Sequence, residues 1–407
     1  MESVSTAEAA QTSGCPLAPM RAGFDHSTTP ELLAQHRETW NRLRSETPIF
    51  RSDITPKYDI NYLMTYADNL AALQDTATFS SSSVNYLDEP HQKLIPEELD
   101  PPEHGKYRRT LAGPFAPGVI KNREDEIRQF CGELIDEFVA KGGGDFKQEF
   151  ALKFPTTIFL RMMGLPVEQR DQFIERADII MRTLPENDPD GSIKGTAAAQ
   201  IIGDLNAVLE LRRAHPTDDL VSHLLAQTID GEPVSTEDFY AMGFLLYLAG
   251  LDTVANMLVY MFRHLAEDPK LRRELIEEPE LIPDAVEEFL RYYSIASGAR
   301  VVTTDTELGG FRIKKGDRIL YCTAAADRDP EQFPDPDTFI PDRRPNRHIA
   351  FGAGPHRCLG SHLARLELRI AIEEWHKRLP DYRVPEGTVF TEHVGTVSGY
   401  DALPLEW

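Results

Sequence analysis

The chain has 407 residues and a formal net charge of −23 at pH 7. That charge argues against binding to nucleic acid or to an anionic membrane surface, because both require basic faces. The four cysteines are scattered without the spacing of a disulfide framework, which favours a reducing, cytoplasmic location. The first twenty residues contain neither a basic start nor an apolar run, so neither a signal peptide nor a membrane anchor is expected.

In chain order, residues 1–28 are small and polar, and we expect a flexible N-terminal segment followed by a single domain over residues 29–407. The apolar spacing predicts a mainly α-helical fold with small β-sheets. A loop over residues 80–99 has no period and is expected to cover a pocket. Helices are predicted at 30–44, 66–73, 119–140, 148–163, 167–184, 200–214 and 220–226, with another beginning at 100–102, and strands at 58–64, 301–302, 311–313 and 318–321, the last three as small hairpins.

The longest predicted helix passes through the middle of the chain. Between Phe239 and Phe262 the only charged residue is Asp252, and the helix should continue to Asp268. Such a stretch is long enough to cross a membrane, but its central acid favours the core helix of a globular fold. Ala249 and Gly250 would let a flat ligand approach the helix backbone, with Asp252 and Thr253 beside it. Alternatively, Thr253 bonds a preceding carbonyl and Asp252 pairs with a distant arginine.

A single cysteine lies where a glycine-rich loop, residues 351–360, leads into a helix. The free N–H groups of a helix N-terminus favour the thiolate form of Cys358. No second cysteine stands nearby to build a zinc site, whereas a thiolate is a suitable axial ligand for haem iron. Gly352, Gly354 and Gly360 would let the backbone approach a flat group. The alternative is a buried, inert cysteine.

Three motifs resemble those of the cytochrome P450 family. The spacing Phe-Gly-x-Gly-x-His-x-Cys-x-Gly is similar to its haem-binding signature, and residues 249–253 are similar to the motif that lies over the iron where dioxygen binds. Glu288 and Arg291 resemble its Glu-x-x-Arg pair. Many members have an arginine where this chain has Thr338, and Arg343 is a candidate replacement. The resemblance is closest to soluble bacterial members of the camphor-hydroxylase type, through residues 250–254 and 397–405.

The resemblance implies a cytochrome P450 fold, haem b as cofactor and a monooxygenase reaction with O2. Cys358 would bind the iron, and Asp252 and Thr253 would manage protons as catalytic residues. The remaining cofactor-binding residues implied are His104, Arg108, Ala249, Gly250, Arg300, Phe351, Gly352, His356 and Gly360, of which His104, Arg108, Arg300 and His356 would bind the propionates.

The substrate is expected to be a small lipophilic molecule, a terpenoid or a norisoprenoid ketone of ionone type. The resemblance implies that Gln92, Leu245, Leu248, Ala296, Thr396 and Val397 line its pocket. Gln92 is the expected polar anchor, with His91, Tyr86 or Thr396 as alternatives. Electrons would come from a [2Fe-2S] ferredoxin and its ferredoxin reductase. The ferredoxin would dock on a monomer through a basic patch of Lys106, Arg109, Arg343, Arg344, Arg347 and Arg357. The alternatives are a peroxide-driven peroxygenase and a non-catalytic haem sensor or carrier.

Overall fold

The predicted fold class is confirmed in a computed structural model, which describes residues 15–84 and 93–407. Helices dominate, and the strands are short. The helices are α1 (Pro30–Ala34), α2 (His36–Glu46), α3 (Tyr66–Gln74), α4 (Glu103–Ala112), α5 (Pro117–Lys121), α6 (Glu124–Val139), α7 (Lys153–Met163), α8 (Arg170–Arg182), α9 (Ser192–Ala214), α10 (Leu220–Leu225), α11 (Thr236–Leu251), α12 (Thr253–Glu267), α13 (Pro269–Glu277), α14 (Ile282–Tyr293), α15 (Thr323–Ala326) and α16 (Ser361–Arg378).

Several predicted helices are divided. The prediction for 30–44 becomes α1 and α2, because Gln35 between them has a non-helical backbone, with φ −146° and ψ 68°. The prediction for 119–140 becomes α5 and α6, and that for 148–163 becomes a π-helix, Lys147–Ala151, followed by α7. Apolar periodicity continues across these interruptions, so it cannot locate them.

The strands are β1 (Ile49–Ser52), β2 (Ile60–Leu63), β3 (Phe79–Ser80), β4 (Gly143–Asp145), β5 (Thr228–Ile229), β6 (Glu232–Pro233), β7 (Ser297–Val302), β8 (Thr306–Leu308), β9 (Phe311–Ile313), β10 (Arg318–Cys322), β11 (Glu392–His393), β12 (Gly399–Tyr400) and β13 (Pro404–Glu406). Five of them form one sheet in the order β1-β2-β10-β7-β3. β10 pairs with β2 in parallel and with β7 antiparallel, so it is not a member of a local hairpin. β8 and β9 do form one.

The core is built around α11 and α12, whose residues are mostly buried. α11 packs against α7, α8 and α9, whereas α12 packs against α14 and α16. The stretch Thr236–Glu267 is long and apolar enough to span a bilayer, but two thirds of its most apolar part is buried inside the protein. The single helix predicted here is interrupted at Asp252, whose φ of −110° departs from helical geometry.

The described residues 15–28, which belong to the segment predicted to be flexible, pack against the sheet region. Leu17 forms a backbone bridge with Arg312, and Met20 forms one with Arg51. The ring of Phe24 contacts those of Phe50 and Tyr62 edge-on. A few apolar side chains among small polar residues are therefore enough to hold this segment, although they show no period. The first 14 residues lie outside the described part of the chain.

Candidate functional site

The cysteine loop, residues 351–360, is closed by its own backbone. The Cys358 N–H donates to the Phe351 carbonyl over 2.8 Å, and α16 begins three residues later. Gly354 has φ +68°, and a Cβ there would collide with the Leu73 carbonyl of α3. The structure corrects the prediction for this glycine: Gly354 is required for close packing against α3, whereas Gly352 and Gly360 have open space where a Cβ would point.

Cys358 differs from the other cysteines in accessibility. Its side chain reaches solvent-accessible space, whereas Cys131 and Cys322 are buried. Protein still surrounds the sulfur closely, so burial raises the pKa of the thiol, while the Gly360 N–H and the Arg108 guanidinium act in the opposite direction. An accessible thiol in front of a helix does not match the buried, inert alternative.

A cluster of buried basic side chains lies near this cysteine. His104, Arg300 and His356 are each less than 10% exposed, and the two histidine rings are 4.2 Å apart. Arg108 donates to the carbonyl of Arg357, directly before Cys358. Neither ring nitrogen of His356 has a hydrogen-bond partner among the described residues. Arg300 lies within β7, which begins at Ser297, four residues before the predicted strand 301–302. The cluster can therefore accept a further anionic group.

One carboxylate, Glu97, faces the cluster and was not predicted. Its Oε1 lies 3.4 Å from Arg300 Nη2, and its Oε2 lies 3.7 Å from His356 Nδ1. Burial alone would raise the pKa of Glu97, but His356 and Arg300 outweigh it and lower that pKa. Burial, His356 and Arg108 lower the pKa of His104 to about 4.

The middle of the core helix exposes a small surface. Ala249 is exposed although its neighbours Leu248 and Leu251 are buried. The Thr253 hydroxyl donates to the Ala249 carbonyl over 3.1 Å. Gly250 faces the other way, because a Cβ on it would lie 2.5 Å from the Phe159 ring on α7. Gly250 is thus a packing glycine, which corrects its predicted role in ligand approach.

Asp252 lies at the edge of a polar cavity. The cavity has a volume of about 670 Å³ and is lined by charged residues from α8, the π-helix and the C-terminal region. Arg182 at the end of α8 contacts Asp252, with Nη2 2.9 Å from Oδ1. Both structural alternatives for the acid-threonine pair are therefore observed: Thr253 bonds a preceding carbonyl, and Asp252 pairs with an arginine. Asp252 lines the cavity while it is paired with Arg182, whereas Thr253 does not line it.

Glu288 and Arg291 form a fully buried ion pair through two 2.8 Å hydrogen bonds. Arg343 supplies the third member, with its Nε 3.1 Å from each Glu288 oxygen. The candidate replacement therefore occupies this place, while Thr338 contributes only its carbonyl to Arg343. The same contacts remove Arg343 from the predicted surface patch, because its side chain is 6% exposed.

The other patch residues are accessible to different extents. Lys106 is paired with Glu103 and Asp230, and Arg344 with Asp284. The exposed residues with no ion-pair partner in the described chain are Arg109, Arg347 and Arg357.

Some of the predicted pocket residues come together. Ala296 forms a backbone bridge with Val397, and the Ser297 N–H donates to the Thr396 carbonyl over 2.9 Å. Leu245 and Leu248 lie on α11 before the exposed Ala249. Gln92, together with the alternatives His91 and Tyr86, lies outside the described residues.

Comparison with known proteins places these features in a family. A family model described as Cytochrome P450 matches residues 198–375. The probable cytochrome P450 127A1 of Sinorhizobium fredii is 35% identical over 84% of this chain and 81% of its own length. The mycinamicin IV hydroxylase/epoxidase of Micromonospora griseorubida is 31% identical over 90% and 94%, respectively.

Solved structures agree. The crystal structure of CYP101J2 superimposes with a TM-score of 0.86 at 30% identity and covers 97% of this chain and 98% of that one. The extent of these matches, together with the accessible Cys358 beside its buried basic cluster, leads to one conclusion: the chain belongs to the cytochrome P450 family and is a haem b-dependent monooxygenase.

Proposed function

We propose that this enzyme inserts one oxygen atom from O2 into a C–H bond of a small lipophilic substrate, with Cys358 as the only protein ligand to the haem iron. The observation that carries this proposal is the position of Cys358, whose accessible side chain lies beside the buried cluster of His104, Arg300 and His356. When haem is bound, Cys358 would supply a thiolate ligand to its iron, and the buried cations would pair with its two propionates.

The basic cluster fits the propionates. Buried carboxylates require donors, and His356 has two ring nitrogens without hydrogen-bond partners in the described chain. Arg108 and His104 share a face of α4, and Arg300 reaches the same place from β7. Phe351, Gly352 and Gly360 would surround the sulfur, and Ala249 would face the opposite side of the cofactor.

The haem supplies the oxidative chemistry when it is bound, and the protein orients the substrate and moves protons. Thr253 presents a hydroxyl that can exchange its bond to the Ala249 carbonyl for one to a ligand. Asp252 precedes Thr253 in the chain, lines the cavity and has Arg182 as its counter-ion. We assign proton delivery to Asp252 and hydrogen-bond support to Thr253.

The test of the ligand uses the ferrous CO complex, whose strongly red-shifted Soret band reports thiolate ligation. Cys358→His should abolish that band. Cys322→Ala, a change at a buried cysteine with no role in the proposal, should keep it. Retention of the band in Cys358→His would refute the assignment.

The test of the proton route compares products. Thr253→Ala should still consume NADH but release peroxide in place of product, whereas Asp252→Asn should slow turnover itself. Turnover by peroxide alone, as fast as with ferredoxin and O2, would favour the peroxygenase alternative. A protein that binds haem and CO but turns over no substrate would favour the sensor or carrier.

We propose that the substrate is a terpenoid or a norisoprenoid ketone of ionone type. Ala296 is small, which leaves room beside Thr396 and Val397, and CYP101J2 is among the similar structures. Similar relatives include a steroid C26-monooxygenase and the mycinamicin enzyme, so larger substrates are the competing class. A screen for spin-state shifts with ionones, steroids and macrolides decides between them. Larger shifts with the last two would contradict the proposal, and Gln92→Leu would test the polar anchor.

The proposed electron donor is a [2Fe-2S] ferredoxin with its ferredoxin reductase, in the cytoplasm and with the enzyme as a monomer. The docking patch is reduced to Lys106, Arg109, Arg344, Arg347 and Arg357, since Arg343 is buried. Exposed arginines beside the cysteine loop suit a negatively charged partner despite the acidic charge of the whole chain.

A further inference from the structure

Arg182 lines the cavity and contacts four groups, the most distant of which is Asp401, with its Oδ1 3.9 Å from Arg182 Nη1. Its Nη2 lies 2.9 Å from Asp252 Oδ1, its Nε lies 2.7 Å from Asp178 Oδ1, and its Nη1 lies 3.1 Å from the Nδ1 atom of His393. His393 comes from β11, far from Arg182 in sequence. The guanidinium that pairs with Asp252 is thus fixed from the opposite side by an imidazole ring.

The Nδ1 atom of His393 has two neighbours with opposite requirements. Arg182 only donates hydrogen bonds, so its contact with Nδ1 requires a lone pair on that nitrogen. Asp401 Oδ1 also lies 3.0 Å from Nδ1 and would require a proton there. Only one of the two hydrogen bonds can form at a time, so the protonation of Nδ1 decides whether Arg182 keeps its hydrogen bond to His393.

The other ring nitrogen indicates which arrangement holds. His393 Nε2 and Asn256 Oδ1 are both buried and have no hydrogen-bond partner among the described residues. Both lie against Gly399, at the position that a Cβ would occupy. Asn256 Oδ1 is an acceptor, because its Nδ2 donates to the Asp252 carbonyl. A proton on Nε2 would point into the same small region as this acceptor and would leave the Nδ1 lone pair for Arg182.

The charged surroundings favour a neutral ring. The groups facing His393 are Arg182 from α8, Lys147 from the π-helix, Asp252 at the α11–α12 junction and Asp401 after β12, with Asp178 beyond Arg182. Burial, Arg182 and Lys147 lower the pKa of His393 to about 4, and the two carboxylates oppose them. Lys147 is itself buried and donates to the Tyr400 carbonyl over 2.6 Å, so this cation is fixed in place.

We propose that neutral His393 is a positioning residue that holds Arg182 through its Nδ1 lone pair and thereby keeps Asp252 oriented at the cavity that it lines. This inference rests on the proposed role of Asp252 in proton delivery. His393 touches neither substrate nor cofactor in this scheme and acts only through Arg182. Its loss should therefore affect the proton-dependent part of turnover and leave haem binding unchanged.

The experiment uses the haem-loaded enzyme with its ferredoxin system and the compound that gives the largest spin-state shift. His393→Leu removes the acceptor, whereas His393→Asn places an amide oxygen near the Nδ1 position. His376→Leu is the matched control, since His376 is also buried and has a pKa of about 4 but bonds only Tyr382. The measurements are product formed per NADH consumed, the rate of product formation and its solvent isotope effect.

We expect product formation in His393→Leu to fall about tenfold, less than the hundredfold that a 1 Å misplacement of a reacting group can cost. The solvent isotope effect should rise, and the CO spectrum should stay unchanged. His393→Asn should restore most of the rate, and His376→Leu should match the wild type. In an Asp252→Asn background, His393→Leu should have no further effect. A wild-type rate in His393→Leu, no rescue by asparagine, or an undiminished effect in that background would overturn the inference.

The Asp252 and His393 variants distinguish a failure of the proposed role of Asp252 from a failure of the role of His393. If Asp252→Asn turns over like the wild type, the proposed role of Asp252 is wrong and the inference falls with it. If Asp252→Asn is slow while His393→Leu is normal, only the inference is wrong.

The His393 ring of the wild-type enzyme provides a test that needs no folded leucine variant. ¹⁵N NMR of the ferrous CO form at pH 7.5 should show His393 protonated at Nε2 alone. The signal of His393 is assigned by its loss in His393→Asn. A proton on Nδ1 would refute the scheme.

Discussion

Two carboxylates paired with arginines, Glu288 and Asp252, have opposite surroundings. Glu288 is completely buried, and both its oxygens are shared among five donor groups, from Arg291, Arg343, Asn346 and the Ile340 N–H. The side chain of Asp252 is 14% exposed, contacts a single arginine and borders a cavity. A saturated network holds one arrangement, whereas a carboxylate with free lone pairs beside water-accessible space can exchange partners. The first carboxylate suits a structural role and the second a chemical one.

We expect the largest effect from a variant that disrupts the hydrogen-bond network of Glu288. Glu288→Gln leaves two buried guanidinium groups without their shared counter-charge, and losing one partner of a buried pair costs about 3–5 kcal/mol. We expect a loss of this size in the free energy of unfolding, measured by denaturant titration, with little folded haem protein recovered. Asp284→Asn on the same helix is the control, because its pair with Arg344 is solvent-exposed and should contribute little to stability. Equal losses in both variants would contradict the comparison.

A smaller loss of stability is expected from a substitution at Gly250, two residues before Asp252. Gly250→Ala places a Cβ against the Phe159 ring, and overpacking of a core costs about 1–3 kcal/mol. The control, Gly195→Ala on α9, meets nothing within 4 Å and should gain up to about 1 kcal/mol, since alanine favours the helix. Thermal unfolding of both variants checks this. A neutral Gly250→Ala would mean that Phe159 can move aside and that the cavity side of the helix is loosely packed.

The pH dependence of stability tests a third carboxylate, Glu287, which precedes Glu288 on α14. His348 and Arg365 overcome the effect of burial and lower the pKa of Glu287 to about 2. A folded-state pKa below the unfolded value of 4.5 means that Glu287 contributes stability above pH 4.5, which is lost as the pH falls towards 2. Between pH 7 and pH 4 the difference in unfolding free energy between the wild type and Glu287→Gln should shrink by at most about 1 kcal/mol. A constant or growing difference would be inconsistent with this ion pair.

The smallest expected effect concerns the surface. Arg109→Glu should lower the rate of reduction by ferredoxin about threefold at low ionic strength, because charges at the rim of an interface mainly change the association rate. The difference should disappear as salt rises, since exposed charges are screened within about 10 Å at 0.1 M. Arg383→Glu, next to β13, is the control with no expected change. An unchanged rate in Arg109→Glu would exclude this residue from the docking patch.

The sequence predicted what is local and missed what depends on distant contacts. The helical class and the three motifs could be inferred because their residues lie in short, recognisable stretches, whereas Arg343, 55 residues from Glu288, became a candidate third partner only through the family resemblance. Arg182 and His393 could not be inferred, since they meet Asp252 from segments separated by about 70 and 140 residues and carry no motif of their own. The break at Asp252 was also missed, because apolar periodicity continues on both sides of it. Gly250 and Gly354 were recognised as sites of close approach, but the residues that they pack against, Phe159 and Leu73, were not predicted.

The contacts of Glu288 also determine how the chain before the cysteine loop can open. Residues 340–347 contain no helix or strand, and such segments normally exchange their amide hydrogens quickly. Here the Ile340 N–H donates to a carboxylate that is sealed from solvent, and the Arg343 N–H donates to the Ile340 carbonyl. The Ile340 N–H can meet water only when it leaves the buried carboxylate of Glu288. This amide should therefore exchange as slowly as those of the central helices, although it lies in irregular backbone.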